Sequence, residues 1–165
     1  MKALLLVESR FGNSRAIADA VALGIRERGA EVTVLAPEEA PPAVGEDVDL
    51  LVLGAPTHNR TLPTSSTRGQ AVAMGAEPGG DGVREWLSNG RLRSGLRVAA
   101  FTTASGRTVL SGSAARGAAR LIARSNPGVP VETRTFVVDG LKGPLQEGEV
   151  EAARTWGRDL VEAHP

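Results

Sequence analysis

Ala3-Leu4-Leu5-Leu6-Val7-Glu8-Ser9-Arg10-Phe11-Gly12-Asn13-Ser14 is the stretch on which the reading of this chain turns. Ala3 to Val7 is an unbroken apolar run of strand length, the pattern of a strand buried on both faces. After the run, Ile17, Ala20, Val21, Gly24 and Ile25 recur at helical spacing, so a helix is predicted over about 13–28. Gly29 follows as a helix-terminating glycine. A strand, a short polar loop and a helix are the parts from which α/β proteins build an anion site. The first turn of a helix leaves backbone N–H groups without partners and carries roughly half a positive charge. Ser9 and Ser14 add hydroxyls, Asn13 adds an amide, and Gly12 lets the backbone approach closely. One Ser or Asn here would read as a plain helix cap. Four such residues together favour an anion such as phosphate.

Outward from that stretch the pattern repeats. Glu31 to Leu35 reads as a second strand, Asp49 to Gly54 as a third, Leu96 to Phe101 as a fourth and 129–138 as a fifth. Three prolines make 36–47 a poor helix, leaving a short turn or irregular crossover. Short helices are expected around 82–88 and 111–124, and a last one from about Glu147 to Glu162. Residues 55–80 carry no sustained period beyond a helical turn near Gln70 to Met74; so long a loop in a compact domain is usually functional. Thr102-Thr103-Ala104-Ser105-Gly106 reads as a polar turn. Strands that alternate with helices predict a parallel sheet covered on both faces, and the 165 residues fit a single domain, 1–165.

Composition narrows the function. There is no cysteine, hence no disulfide framework and no thiolate chemistry, and with only two histidines a structural zinc site is not expected. The apolar start is too short for a membrane span or a secretory signal, so a cytoplasmic protein is expected. Zero formal net charge argues against a nucleic-acid binder. Acids are absent between Asp49 and Glu77 and between Glu85 and Glu132, while arginines are frequent there. A basic face and a scatter of solvated arginines both fit that distribution.

The loop Ser9-x-x-Gly12-Asn13-Ser14 resembles the phosphate loop of the flavodoxin family, and two further loops support the resemblance. Gly54-Ala55-Pro56-Thr57-His58 is similar to that family's Gly-x-Pro-Thr motif after the third strand. Thr102 to Gly106 stands where the other ring-lining loop belongs. The resemblance covers essentially the whole chain. Ser66-Thr67-Arg68 and Lys142-Gly143-Pro144-Leu145 also resemble a bacterial flavodoxin-domain branch of unassigned role. It implies a three-layer α/β/α sandwich with a parallel sheet of order 2-1-3-4-5, and a ligand beyond the carboxyl ends of the central strands. It further implies bound FMN, held by Ser9, Arg10, Phe11, Gly12, Asn13, Ser14, Pro56, Thr57, His58, Thr102, Thr103, Ala104, Ser105 and Gly106. The implied role is that of a redox protein, in electron transfer or in reduction of a small molecule such as a quinone. A non-catalytic module that keeps the fold and binds another phosphorylated ligand is the alternative.

The chain departs from flavodoxins in two ways. It has no Tyr, and its Trp86 and Trp156 fall on predicted helices, where they are expected to pack. Only His58, with Leu62 and Pro63, is left to flank a ring from the second loop. Two lost stacking contacts, each roughly 0.5–1.5 kcal/mol, would weaken FMN by one or two orders of magnitude. Arg60, Arg68 and Arg107 are expected on the rim and Arg10 beside the phosphate, a basic mouth suited to an anionic or acidic partner. Phe11 is expected to anchor its loop to the core, Thr102 and Ser105 to meet the polar edge of the ring, and His164 to have no chemical role. Other motifs fail. No Gly-x-Gly-x-x-Gly follows a strand, and Gly112 and Gly117 have phosphate-loop spacing but are followed by Ala118-Ala119 instead of Lys-Ser/Thr.

Overall fold

The computed structural model describes residues 1–108 and 110–162; His164 lies outside them. Five strands, β1 (Lys2–Val7), β2 (Glu31–Leu35), β3 (Leu50–Pro56), β4 (Arg97–Ala104) and β5 (Val131–Val137), form one parallel sheet of order β2-β1-β3-β4-β5. The helices are α1 (Asn13–Arg26), α2 (Ser65–Ala73), α3 (Val83–Asn89), α4 (Ala114–Ser125) and α5 (Glu149–Glu162). The proline-rich 36–47 segment holds only one turn of 3-10 helix, Pro37–Glu39.

The alternation of side chains along a strand divides the core in two. Ala3, Leu5 and Val7 of β1 pack with Leu50, Val52 and Phe101 beneath α1 and α5. Leu4, Leu6, Leu51 and Leu53 face the other way, toward α3 and α4. That is why the β1 run has no polar alternation. Trp156 is 1 % exposed and packs edge-on against Phe101 and tilted against Phe136, with centroids 6.4 and 6.0 Å away. Trp86 is buried under α3 and donates from Nε1 to the Pro41 carbonyl, 2.9 Å away. Both tryptophans therefore pack in the interior, as their helical setting predicts.

α1 and α5 meet through glycines. A Cβ on Gly24 would lie 2.0 Å from the Arg154 carbonyl oxygen, and one on Gly157 would lie 2.3 Å from the Val21 carbonyl oxygen. The two backbones lie closer than any side chain allows.

Two differences from the sequence reading bear on the site. β4 runs on to Ala104, so Thr102 and Thr103 are strand residues paired with Ala55 and Pro56. Threonine suits a strand because its branched Cβ packs on the pleat, and its hydroxyl finds neighbours there. Residues 65–73 form a true helix, α2. Thr64 starts it by accepting from the Thr67 N–H at 3.2 Å, while the Thr67 hydroxyl accepts from the Thr64 N–H at 2.9 Å.

Candidate functional site

β1 lies between β2 and β3, so the chain leaves it in one direction and returns on the other. The loops after β1 and β3 diverge at that point and open a crevice beyond the carboxyl ends of the strands. A cavity of about 310 Å³ lies there, at the small end of the range for ligand sites. Its lining comes from the loops after β1, β3, β4 and β5 and from α2.

The floor is the β1–α1 loop. Gly12 has φ 87°, the left-handed region that glycine tolerates, and turns the chain into α1. The N–H groups of residues 10–14 have no acceptor among the described residues. The Arg15 N–H is capped by Ser9 Oγ at 3.2 Å. Ser14 is buried, with its Oγ 2.8 Å from Thr103 Oγ1. The floor thus presents five open amides beside hydroxyls, a set suited to a phosphate at a helix start.

The wall after β3 is shaped by a tight turn. His58 and Thr61 exchange backbone hydrogen bonds of 2.9 and 3.0 Å, with Asn59 and Arg60 between them at φ 44° and 67°. Non-glycine residues rarely adopt that region, and here the turn fixes a half-buried His58 against the cavity. His58 Nδ1 lies 3.2 Å from Thr67 Oγ1 of α2. Burial, with the nearby Arg10 and Arg68 guanidiniums, pulls the imidazole below its ordinary pKa, against the opposing pull of Glu8. The ring is therefore neutral at pH 7.

Behind this wall lies a network that the sequence concealed. Glu8 is 3 % exposed and accepts from Arg68 Nε at 2.8 Å and from the Val83 N–H at 3.3 Å. Arg10 Nη2 is 3.4 Å from the same carboxylate and 3.2 Å from the Gly80 carbonyl. Arg68 also grips Glu85 through both terminal nitrogens. Two acids and two arginines balance one another, and of the four only Glu85 reaches water to any extent. They tie the end of β1 to α2, α3 and the 77–83 loop.

Eleven of the fourteen sequence-predicted positions line the cavity: Ser9, Arg10, Phe11, Asn13, Ser14, Pro56, Thr57, His58, Thr103, Ala104 and Ser105. Gly12, Thr102 and Gly106 do not. Gly12 shapes the floor. Thr102 is wholly buried, with its Oγ1 3.0 Å from the Ala55 carbonyl and 2.7 Å from Thr57 Oγ1. It braces the β3 loop instead of meeting a ligand. Phe11 is half-buried on the cavity wall, with the Lys142 ammonium 5.8 Å from its ring centroid, and is not a core anchor.

The expected basic mouth is corrected in part: Arg60 and Arg107 are exposed, and Arg10 and Arg68 are not. Arg10 and Arg68 are buried and paired, and Arg107 bonds to Glu149 at the start of α5. For Arg10 and Arg68 the reason is geometric: Glu8 points back from the strand end and holds both inside. Sequence reasoning missed Thr67, Gln70 and Met74 around α2, Ser111, and Gly140 and Leu141 after β5. The signals were present in the threonine cap of α2 and in the Lys142-Gly143-Pro144-Leu145 motif.

That motif belongs to a strap over residues 138–145. Asn13 Nδ2 donates to the Lys142 carbonyl at 2.8 Å, which commits one amide hydrogen expected for the anion. Val138 and Leu145 form an antiparallel bridge, and the Asp139 N–H donates to the Pro144 carbonyl at 2.8 Å.

No protein-family model and no curated protein matches the chain. Solved structures do. Flavodoxin 1 from Bacillus cereus is similar over 100 % of this chain and 99 % of its own, with TM-score 0.71 and 20 % identity. A flavodoxin from the domain Archaea covers 99 % of this chain and 98 % of its own, with TM-score 0.63 and 17 % identity. A flavone reductase matches 99 % of this chain over 62 % of its own length, with TM-score 0.61 and 17 % identity. The chain has the flavodoxin-like fold, and the resemblance read from its loops is borne out at that level.

Proposed function

We propose that this chain binds FMN and works as a redox protein, transferring electrons or reducing a small molecule such as a quinone. The observation that carries the reading is the set of open N–H groups at residues 10–14, facing a cavity flanked by the β3 and β4 loops. The residues present fit the group. The amides and the Ser9 and Ser14 hydroxyls would hold its phosphate, and Pro56 to His58 with Ala104 and Ser105 would flank its ring. Bound there, FMN would supply the one- and two-electron chemistry that no side chain here provides.

The chain's own residues bind and orient. His58, neutral and fixed by Thr67, offers its Nε2 to a ligand without adding charge. The flavodoxins and the reductase named above support this reading by their fold. With Arg10 and Arg68 held inside and Arg60 and Arg107 left at the surface, both an acidic partner and a small-molecule substrate fit the mouth. Visible spectra of the purified protein, with and without added FMN, test the proposal. A yellow protein, or quenching of FMN fluorescence at micromolar concentration, is expected. No spectral change at millimolar FMN would leave only a module for another phosphorylated ligand.

A further inference from the structure

The strap after β5 carries the most exposed large apolar side chain among the described residues. Leu141 is 79 % exposed and yet lines the cavity. Its exposure does not come from a loose chain. The strap is held by the Asn13–Lys142 bond, the Val138–Leu145 bridge and the Asp139–Pro144 bond, and the Gln146 side chain donates to Asp139 Oδ1 at 3.0 Å. A leucine kept in water by that many tethers invites an apolar cover. The sheet order says where the cover sits. β3 and β5 flank β4, so Leu141 approaches the cavity from one side, and His58 and Met74 approach from the other. Met74 is also exposed, at 44 %.

We infer that Leu141 is a specificity-determining residue that covers one face of a flat, apolar ring, opposite His58 and Met74. It replaces the aromatic that the β4 loop lacks, and it comes from a different loop. This inference rests on the FMN reading above and names the side chain that grips the ring. The occupant is the isoalloxazine ring, not a protein surface, because the cavity holds only about 310 Å³ and the phosphate floor fixes one end of what enters.

Flavin-fluorescence titrations of wild type, Leu141→Ala and Leu141→Asp with FMN and with riboflavin test it. Riboflavin carries the same ring without the phosphate. Leu141→Ala is expected to weaken both ligands by the same factor, about tenfold, and Leu141→Asp to weaken both further. The side chain is solvent-exposed, so both variants should keep the wild-type thermal midpoint, which circular dichroism checks. If wild type binds FMN and Leu141→Ala leaves both affinities within twofold, the ring contact is refuted and the FMN reading stands. If wild type binds neither flavin, both are overturned.

Discussion

His58 shows how a single position takes its chemistry from its surroundings. The sequence marks it as a loop histidine after Pro56-Thr57 and leaves its state open. In the fold, a tight turn with Asn59 and Arg60 at positive φ presses it against α2, and burial keeps it neutral. The sign of the pH effect follows. The unfolded chain takes up a proton on this ring near pH 6.5, and the folded chain only at lower pH. Between those values the unfolded state binds more protons, so stability is complete above pH 6.5 and falls as pH drops through the window. Replacing His58 with Gln should flatten that fall below pH 6.5, as read from urea midpoints. An unchanged slope would show that the ring is already solvated.

At the scale of elements, Glu8 ties the architecture together. It follows β1 directly and meets Arg68 of α2, Arg10 of the floor and the first N–H of α3. Buried charges are stable only while paired, and removing one partner costs about 3–5 kcal/mol. Glu8→Ala should therefore lower the unfolding free energy by that amount in urea titrations. A loss below 1 kcal/mol would mean that water reaches the arginines and the network is incidental. Exposed pairs such as Arg15–Asp19 should contribute far less. Sequence reading placed all five strands, because buried parallel strands show as apolar runs. It could not see this network, since no period or motif says that Glu8 turns inward while Arg68, 60 residues later, comes to meet it. For that reason Arg10 and Arg68 do not reach the expected basic rim. Thr102 was misplaced for a related one: a threonine pair looks like a turn in sequence, yet its hydroxyls are satisfied inside a parallel strand.

For the whole molecule, the legible part was the strand order and the convergence of the loops beyond it. Topology alone sends the loops after β1, β3 and β4 to one edge, and their residues in sequence already looked like ligand loops. The strap after β5 was legible only as a motif, because its closing bond joins Asn13 to Lys142 across 129 positions. The account as a whole depends on the open amides of residues 10–14 gripping a phosphate. Phosphorus NMR of FMN added to the protein, followed from pH 5.5 to 8, tests that grip most directly. The account predicts a displaced phosphate resonance whose position stays constant with pH, because the amides hold a single charge state. A resonance that follows free FMN throughout its ionisation would contradict it.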